Sequence, residues 1–210
     1  AVGDMLAWFV SLLGGASYGE LEASAAELRP GETGLLGFDW WNGNRSILAD
    51  AELSGVLLGL TIQSSAAEIY RGLLESIAFG NRRIMDNFEE HGMPLDRIVA
   101  CGGIAEKSPL TMQLVADTSG RTVAVPDADE VPARGAALFA SVVGGVFPNI
   151  ATAAAATRPT ARRRYEPDPR AAAVYDRVYA IYREFYRSVG QDRSDWLHDL
   201  KRIRAEQLTQ

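Results

Sequence analysis

Ile98-Val99-Ala100-Cys101-Gly102-Gly103-Ile104-Ala105-Glu106-Lys107-Ser108-Pro109-Leu110 is the stretch whose reading decides the fold. Ile98 to Cys101 is an apolar run without alternation, the pattern of a buried strand. Two glycines follow at once, and then Ser108-Pro109, the residue types of a helix N-cap and first turn. The serine oxygen can accept from a first-turn N–H, and proline gives up a donor that has no partner there. The chain is therefore expected to leave a sheet, turn without side chains and enter a helix. Bare backbone at the C-terminal end of a strand lets a flat or anionic ligand come close. Plain packing produces the same pattern. It is neither the dinucleotide fingerprint of three spaced glycines nor the phosphate loop ending in Gly-Lys-Ser/Thr, so position alone suggests a ligand site.

Downstream, the helix opened by Pro109 is expected to run to Ser119 and end at Gly120. Thr122 to Val125 reads as a second short strand, followed by Pro126 and the acidic run Asp127-Ala128-Asp129-Glu130. An exposed turn explains that run better than a metal site. Pro132 opens another helix, in which Gly135-Ala136-Ala137 offers a thin face for a close neighbour and Arg134 needs solvent or an anion. Upstream, Ser65 and Glu68 have capping-box spacing. Ile69, Leu73, Ile77, Ile84 and Phe88 then mark one face of the longest helix, which ends near His91-Gly92 with His91 as a dipole partner. Burying five such side chains contributes at most about 8–15 kcal/mol before entropy. Gly72 and Gly80 each cost up to about 1 kcal/mol relative to alanine in a helix, which points to a close neighbour at both. Strand, helix, strand, helix is an α/β signature with parallel pairing.

The flanks are more helical. Met5, Leu6, Phe9, Val10 and Leu13 recur at helical spacing, with Asp4 as a cap and Gly14-Gly15 as the stop. Ser24 to Leu28 is expected to add a helical turn. Asn42-Gly43 between apolar runs signals a tight hairpin. Trp40 and Trp41 would point to opposite faces of a strand, one inward and one lining a surface cleft, unless both anchor a loop. From Ala151 the chain reads as helical and alanine-rich, with Arg162-Arg163-Arg164 a solvated basic cluster. Asp168-Pro169 opens a helix to Val189 that carries Val174, Val178, Ile181, Tyr182 and Phe185 on one side. Gly190 is its expected stop, and the tail to Gln210 is left as helical or frayed.

The 210 residues suit one domain, or one with an appendage, and 47% apolar content supplies a core. A net charge of −6 works against nucleic acid as the main partner. One cysteine cannot staple a fold, and its place in a buried strand fits a reducing, cytoplasmic compartment. No apolar run is long enough to span a membrane. The early helix after Ala1 fits a piece of something longer.

Several separate blocks, in order, resemble the second, nucleotide-binding domain of the FGGY carbohydrate kinases. They are Asp39-Trp40-Trp41-Asn42-Gly43-Asn44-Arg45, Gly55-Val56-Leu57-Leu58-Gly59-Leu60, Glu75-Ser76-Ile77-Ala78-Phe79-Gly80, Cys101-Gly102-Gly103-Ile104-Ala105-Glu106-Lys107 and Gly135-Ala136-Ala137. The resemblance implies an incomplete actin-like, ribonuclease H-like domain, helix-rich with a small sheet, from a kinase that moves the γ-phosphoryl of ATP with Mg2+ to a sugar hydroxyl. It implies residues 1–34 as N-terminal helix and insertion, 35–148 as the core and 149–210 as helices packed on it. Gly102, Gly103, Ile104, Lys107 and Ser108 would form the adenosine side of the site, while Asn42 and Arg45 face the interdomain cleft. No catalytic residue or metal ligand is assigned to this chain. The aspartate base, the Gly-Thr phosphate turn and the first domain with most sugar contacts are not found in it. A homodimer is left open, as are other sugars of the family and a non-catalytic nucleotide-binding module.

Overall fold

The computed structural model describes residues 2–128 and 130–209. Its centre is α3 (Ala66–Glu90), begun by the capping box that the sequence announces: Ser65 Oγ accepts from the Glu68 N–H and Glu68 returns a bond to the Ser65 N–H. Around it lie α1 (Val2–Leu12), α2 (Tyr18–Ala26), and the antiparallel pair β1 (Leu36–Phe38) and β2 (Val56–Leu58). After α3 come β3 (Ile98–Val99), α4 (Gly103–Lys107), α5 (Pro109–Ser119) and β4 (Val123–Pro126). The chain closes with α6 (Val131–Val143), α7 (Ile150–Ala156), β5 (Ala161–Tyr165), α8 (Pro169–Arg187), a π-helical turn (Ser188–Asp192) and α9 (Asp195–Leu208). The second sheet has the order β3-β4-β5, with β3 and β4 parallel, as expected, and β5 antiparallel to β4.

Both mid-helix glycines mark close approach. A Cβ on Gly72 would lie 3.1 Å from Leu35 Cβ, and one on Gly80 would lie 2.7 Å from Asp39 Oδ2. Burial wraps the middle of α3 on all sides, from Tyr70 through Gly80. The stripe read from the sequence therefore holds only in part: Leu73 and Ile77 are buried, Ile69 and Ile84 half-buried, and Phe88, in the last turn, is exposed. Among the polar residues inside are Arg71 and Glu75, whose Nε–Oε1 pair is 2.8 Å apart; Arg71 also donates to Ala25 O and Tyr175 Oη, and Tyr175 to Glu75. Burial pushes Glu75 above the usual carboxylate range, against the pull of Arg71 and Tyr175. Removing Arg71 or Glu75 alone would strand a buried charge, at a cost of about 3–5 kcal/mol.

Several expectations are corrected. Ile98–Cys101 is not a buried strand: β3 has two residues at the edge of its sheet, Val99 is 61% exposed and Cys101 is exposed. Asp4 lies within the first turn of α1 rather than capping it. The helical turn at Ser24–Leu28 is the end of a longer helix, α2. Asn42-Gly43 makes a local turn, with Gly43 at φ +76°, but the strand that pairs with β1 is β2, reached through a long loop. Arg162-Arg163-Arg164 lies in β5, not in a helical tail. On α8 the buried stripe is Ala171, Tyr175, Tyr179, Tyr182 and Tyr186, whereas Ile181 and Phe185 are exposed. Gly190 is a packing glycine rather than a stop, because a Cβ there would meet Trp40 Cη2 at 2.7 Å. Other readings stand: Pro109 to Ser119 is a helix with a left-handed Gly120 as C-cap, and Asp168 caps α8.

Candidate functional site

Two regions hold the residues singled out from the sequence. In the first, β3 hands over to a glycine turn. Gly102 has φ +92° and ψ 178° and serves as N-cap of α4, a short helix the sequence reading did not anticipate. No heavy atom lies within 4 Å of where a Cβ would stand on Gly102 or Gly103, and both residues are exposed. The backbone at the strand exit is therefore open rather than plugged. Ile104 packs on the core from one side and Lys107 is exposed at the far end of α4. Ser108 behaves differently. It is buried, caps α5 by accepting from the Thr111 N–H, and donates to Glu22 Oε1 at 2.9 Å. Its hydroxyl is spent on holding the helix and on tying it to α2.

In the second region, Asn42 and Arg45 share one cleft of about 320 Å³ with Asp4, Asp39, Asn44 and Ile84. Residues of the Gly102 turn do not line it. Asn44 is buried and shapes the loop: its N–H and C=O pair with Asp50, and its Oδ1 accepts from the Leu48 N–H. Asp39 sits at the exit of β1 with Oδ1 closed off from solvent and without a hydrogen-bond partner. Burial raises its pKa from 3.8 to about 6. The two tryptophans divide as one sequence alternative expects. Trp40 is fully buried and stacks on Phe38 with ring centroids 4.3 Å apart. Trp41 meets Trp8 at 4.5 Å and lines an adjoining cleft of about 540 Å³.

The acidic turn and Arg134 are absorbed by the fold. Asp127 pairs with Arg162 at 2.7 Å, Asp129 lies outside the described residues, and Arg134 donates to Thr157 O. Among the described residues no group of histidine, cysteine and carboxylate side chains is arranged to hold a metal. No helix among the described residues is long and apolar enough to cross a membrane.

The architecture is that of sugar kinases. It superposes on xylulose kinase from Lactobacillus acidophilus with a TM-score of 0.80 at 21% identity, over 92% of this chain and 39% of that one. Xylulose kinase from Rhodospirillum rubrum gives a TM-score of 0.76 at 27% identity, over 93% and 39%. The fold is thus the actin-like, ribonuclease H-like one expected from the sequence. More narrowly, residues 1–143 match the C-terminal domain model of the FGGY family of carbohydrate kinases, and the chain belongs to that family. Curated relatives include a ribulokinase of Halalkalibacterium halodurans, 41% identical over 99% of this chain and 40% of its own length. A ribulokinase of Geobacillus thermodenitrificans is 39% identical over 96% and 38%. The chain spans about two fifths of the length of these relatives.

Proposed function

We propose that this chain is the ATP-binding part of a ribulokinase, which transfers the γ-phosphoryl group of MgATP to the 5-hydroxyl of L-ribulose. In that reaction the bond between the γ-phosphorus and its bridging oxygen breaks and a bond from the sugar oxygen to phosphorus forms. The hydroxyl proton goes to a carboxylate base and ADP leaves. Such transfer depends on positioning and charge neutralisation, and Mg2+ would neutralise the phosphates. The share of this chain is the adenosine end: Gly102 and Gly103 as a floor for adenine and ribose, Ile104 as an apolar contact, Lys107 at the rim. Ser108 supports them from below by capping the helix that follows. Asn42 and Arg45 face the sugar side. Residues 1–34, 35–148 and 149–210 act as one unit in this role, and the free, exposed thiol of Cys101 fits a cytoplasmic setting.

The observation that carries this reading is the unobstructed backbone at Gly102 and Gly103, in a family of kinases. Gly103 is the place to test it, because its φ is ordinary and a side chain meets nothing there, whereas Gly102 at φ +92° would be strained by any substitution. Gly103→Val in the full-length enzyme is expected to weaken ATP binding about tenfold or more with little change in melting temperature. Unchanged nucleotide affinity, measured by calorimetry, would remove the assignment. The structural likeness to xylulose kinases supports a second reading in which the sugar is D-xylulose or another polyol. ADP release measured with L-ribulose, D-xylulose and glycerol side by side separates the two.

A further inference from the structure

The largest groove among those described lies away from both regions, on the face of the second sheet that carries Val99, Ala124 and Arg164. Its volume is about 810 Å³, within the range of small-molecule sites. Val99 pairs with Ala124 across β3 and β4, and Ala124 with Arg164 across β4 and β5. The three therefore form one row on one face, a low apolar floor ending in a guanidinium. Arg97, Arg121 and Arg158 complete the basic wall. Arg121 is paired with Glu89, but Arg97, Arg158 and Arg164 have no ion-pair or hydrogen-bond partner among the described residues, and Asp96 is the one carboxylate along the described lining. Three unpaired arginines around one groove repel each other, and they stand out in a chain of net charge −6. An anion relieves that repulsion. Planar guanidinium forks match phosphate oxygens two at a time, which lysine cannot do.

We propose that this groove is a second ligand site, for a small molecule carrying two or more phosphate groups held by Arg97, Arg158 and Arg164 above the Val99–Ala124 floor. The patch is local and the rest of the chain is acidic, so a long polyanion such as nucleic acid would be repelled beyond the groove. The site is independent of the glycine floor at Gly102 and Gly103.

Calorimetric titration of the full chain with inorganic tripolyphosphate tests it. Saturable binding of one equivalent is expected, weaker at higher salt, and lowered about tenfold by Arg97→Ala or Arg164→Ala. Arg164→Lys should retain more affinity than Arg164→Ala. Arg163→Ala, outside the groove lining, should bind as the unaltered chain does. All these side chains are exposed, and circular dichroism checks that each variant folds. Absence of saturable heat would overturn the proposal. So would binding that survives Arg97→Ala and Arg164→Ala but is lost in Gly103→Val, which would put the anion on the glycine floor. An oligonucleotide bound more tightly than tripolyphosphate would overturn it in favour of nucleic acid.

Discussion

Asp39 buries one carboxylate oxygen without a hydrogen-bond partner, and Nε1 of Trp40 and Oη of Tyr182 are likewise buried without partners. Asp39 also helps to push the Tyr182 hydroxyl well above its ordinary range, after burial itself. A folded-state pKa of about 6 against 3.8 in the unfolded chain means that the native state binds the proton more tightly. Stability contributed by the neutral carboxyl is full below the unfolded value and is lost as pH rises through the folded one, of order 3 kcal/mol in all. Asp39→Asn removes that loss. The variant should gain on the unaltered chain by up to about 3 kcal/mol between roughly pH 4 and pH 8, read from urea midpoints. A constant difference across that range would mean the carboxylate is solvated in solution. Nothing in the sequence marks Asp39 as buried, because its neighbours Asn42 and Gly43 make the segment look like an exposed turn. Gly102-Gly103 was legible for the opposite reason: a missing side chain is visible in the sequence, whereas the burial of a present one depends on distant partners.

Helices follow from local rules and strands from remote ones, and the elements divide accordingly. Ser65 with Glu68, Ser108-Pro109 with Gly120, and Asp168-Pro169 each satisfy backbone groups within a few residues, so the starts of α3, α5 and α8 can be read without the fold. The faces of α3 and α8 could not be read so directly. Tyr175 and Tyr179 reach Glu75 and Asp86 on α3 through their hydroxyls, and that is why a stripe of tyrosines is buried in preference to Ile181 and Phe185. Likewise β5 is a strand because β4 offers an edge, and Arg162-Arg163-Arg164 carries no strand signal of its own. Gly80 joins the two levels. Alanine there would favour the helix by about 1 kcal/mol, but its Cβ would fall 2.7 Å from the Asp39 carboxylate. Gly80→Ala is therefore expected to destabilise by about 1–3 kcal/mol, seen as a lower urea midpoint with an unchanged slope. A raised midpoint would show that Asp39 can move aside without cost.

The molecule as a whole is stitched together by its C-terminal helices. One hydrophobic core includes Met5 and Phe9 of α1, Phe38 and Trp40, Phe79 of α3, the α8 tyrosines and Leu197 of α9. Phe38 touches Tyr182 at a centroid distance of 5.0 Å, Trp40 touches Tyr186 at 5.3 Å, and Phe79 contacts Tyr175 and Tyr179 at 6.0 Å each. The family match, however, covers only residues 1–143, before α8 begins. A chain cut after residue 148 would keep all of that matched stretch, yet it would bare Phe38, Trp40 and Phe79 and strand Arg71 and Glu75 without Tyr175. Loss of the four buried α8 tyrosines, at about 1.5–3 kcal/mol per side chain, is comparable with the whole of the roughly 5–15 kcal/mol by which a domain is stable. Residues 1–148 should therefore retain helical far-ultraviolet dichroism but lose near-ultraviolet signal, bind a hydrophobic dye and melt without a cooperative transition. The full chain should melt in one step. A sharp transition in the shortened chain would mean that α8 and α9 are an appendage to a core that stands alone.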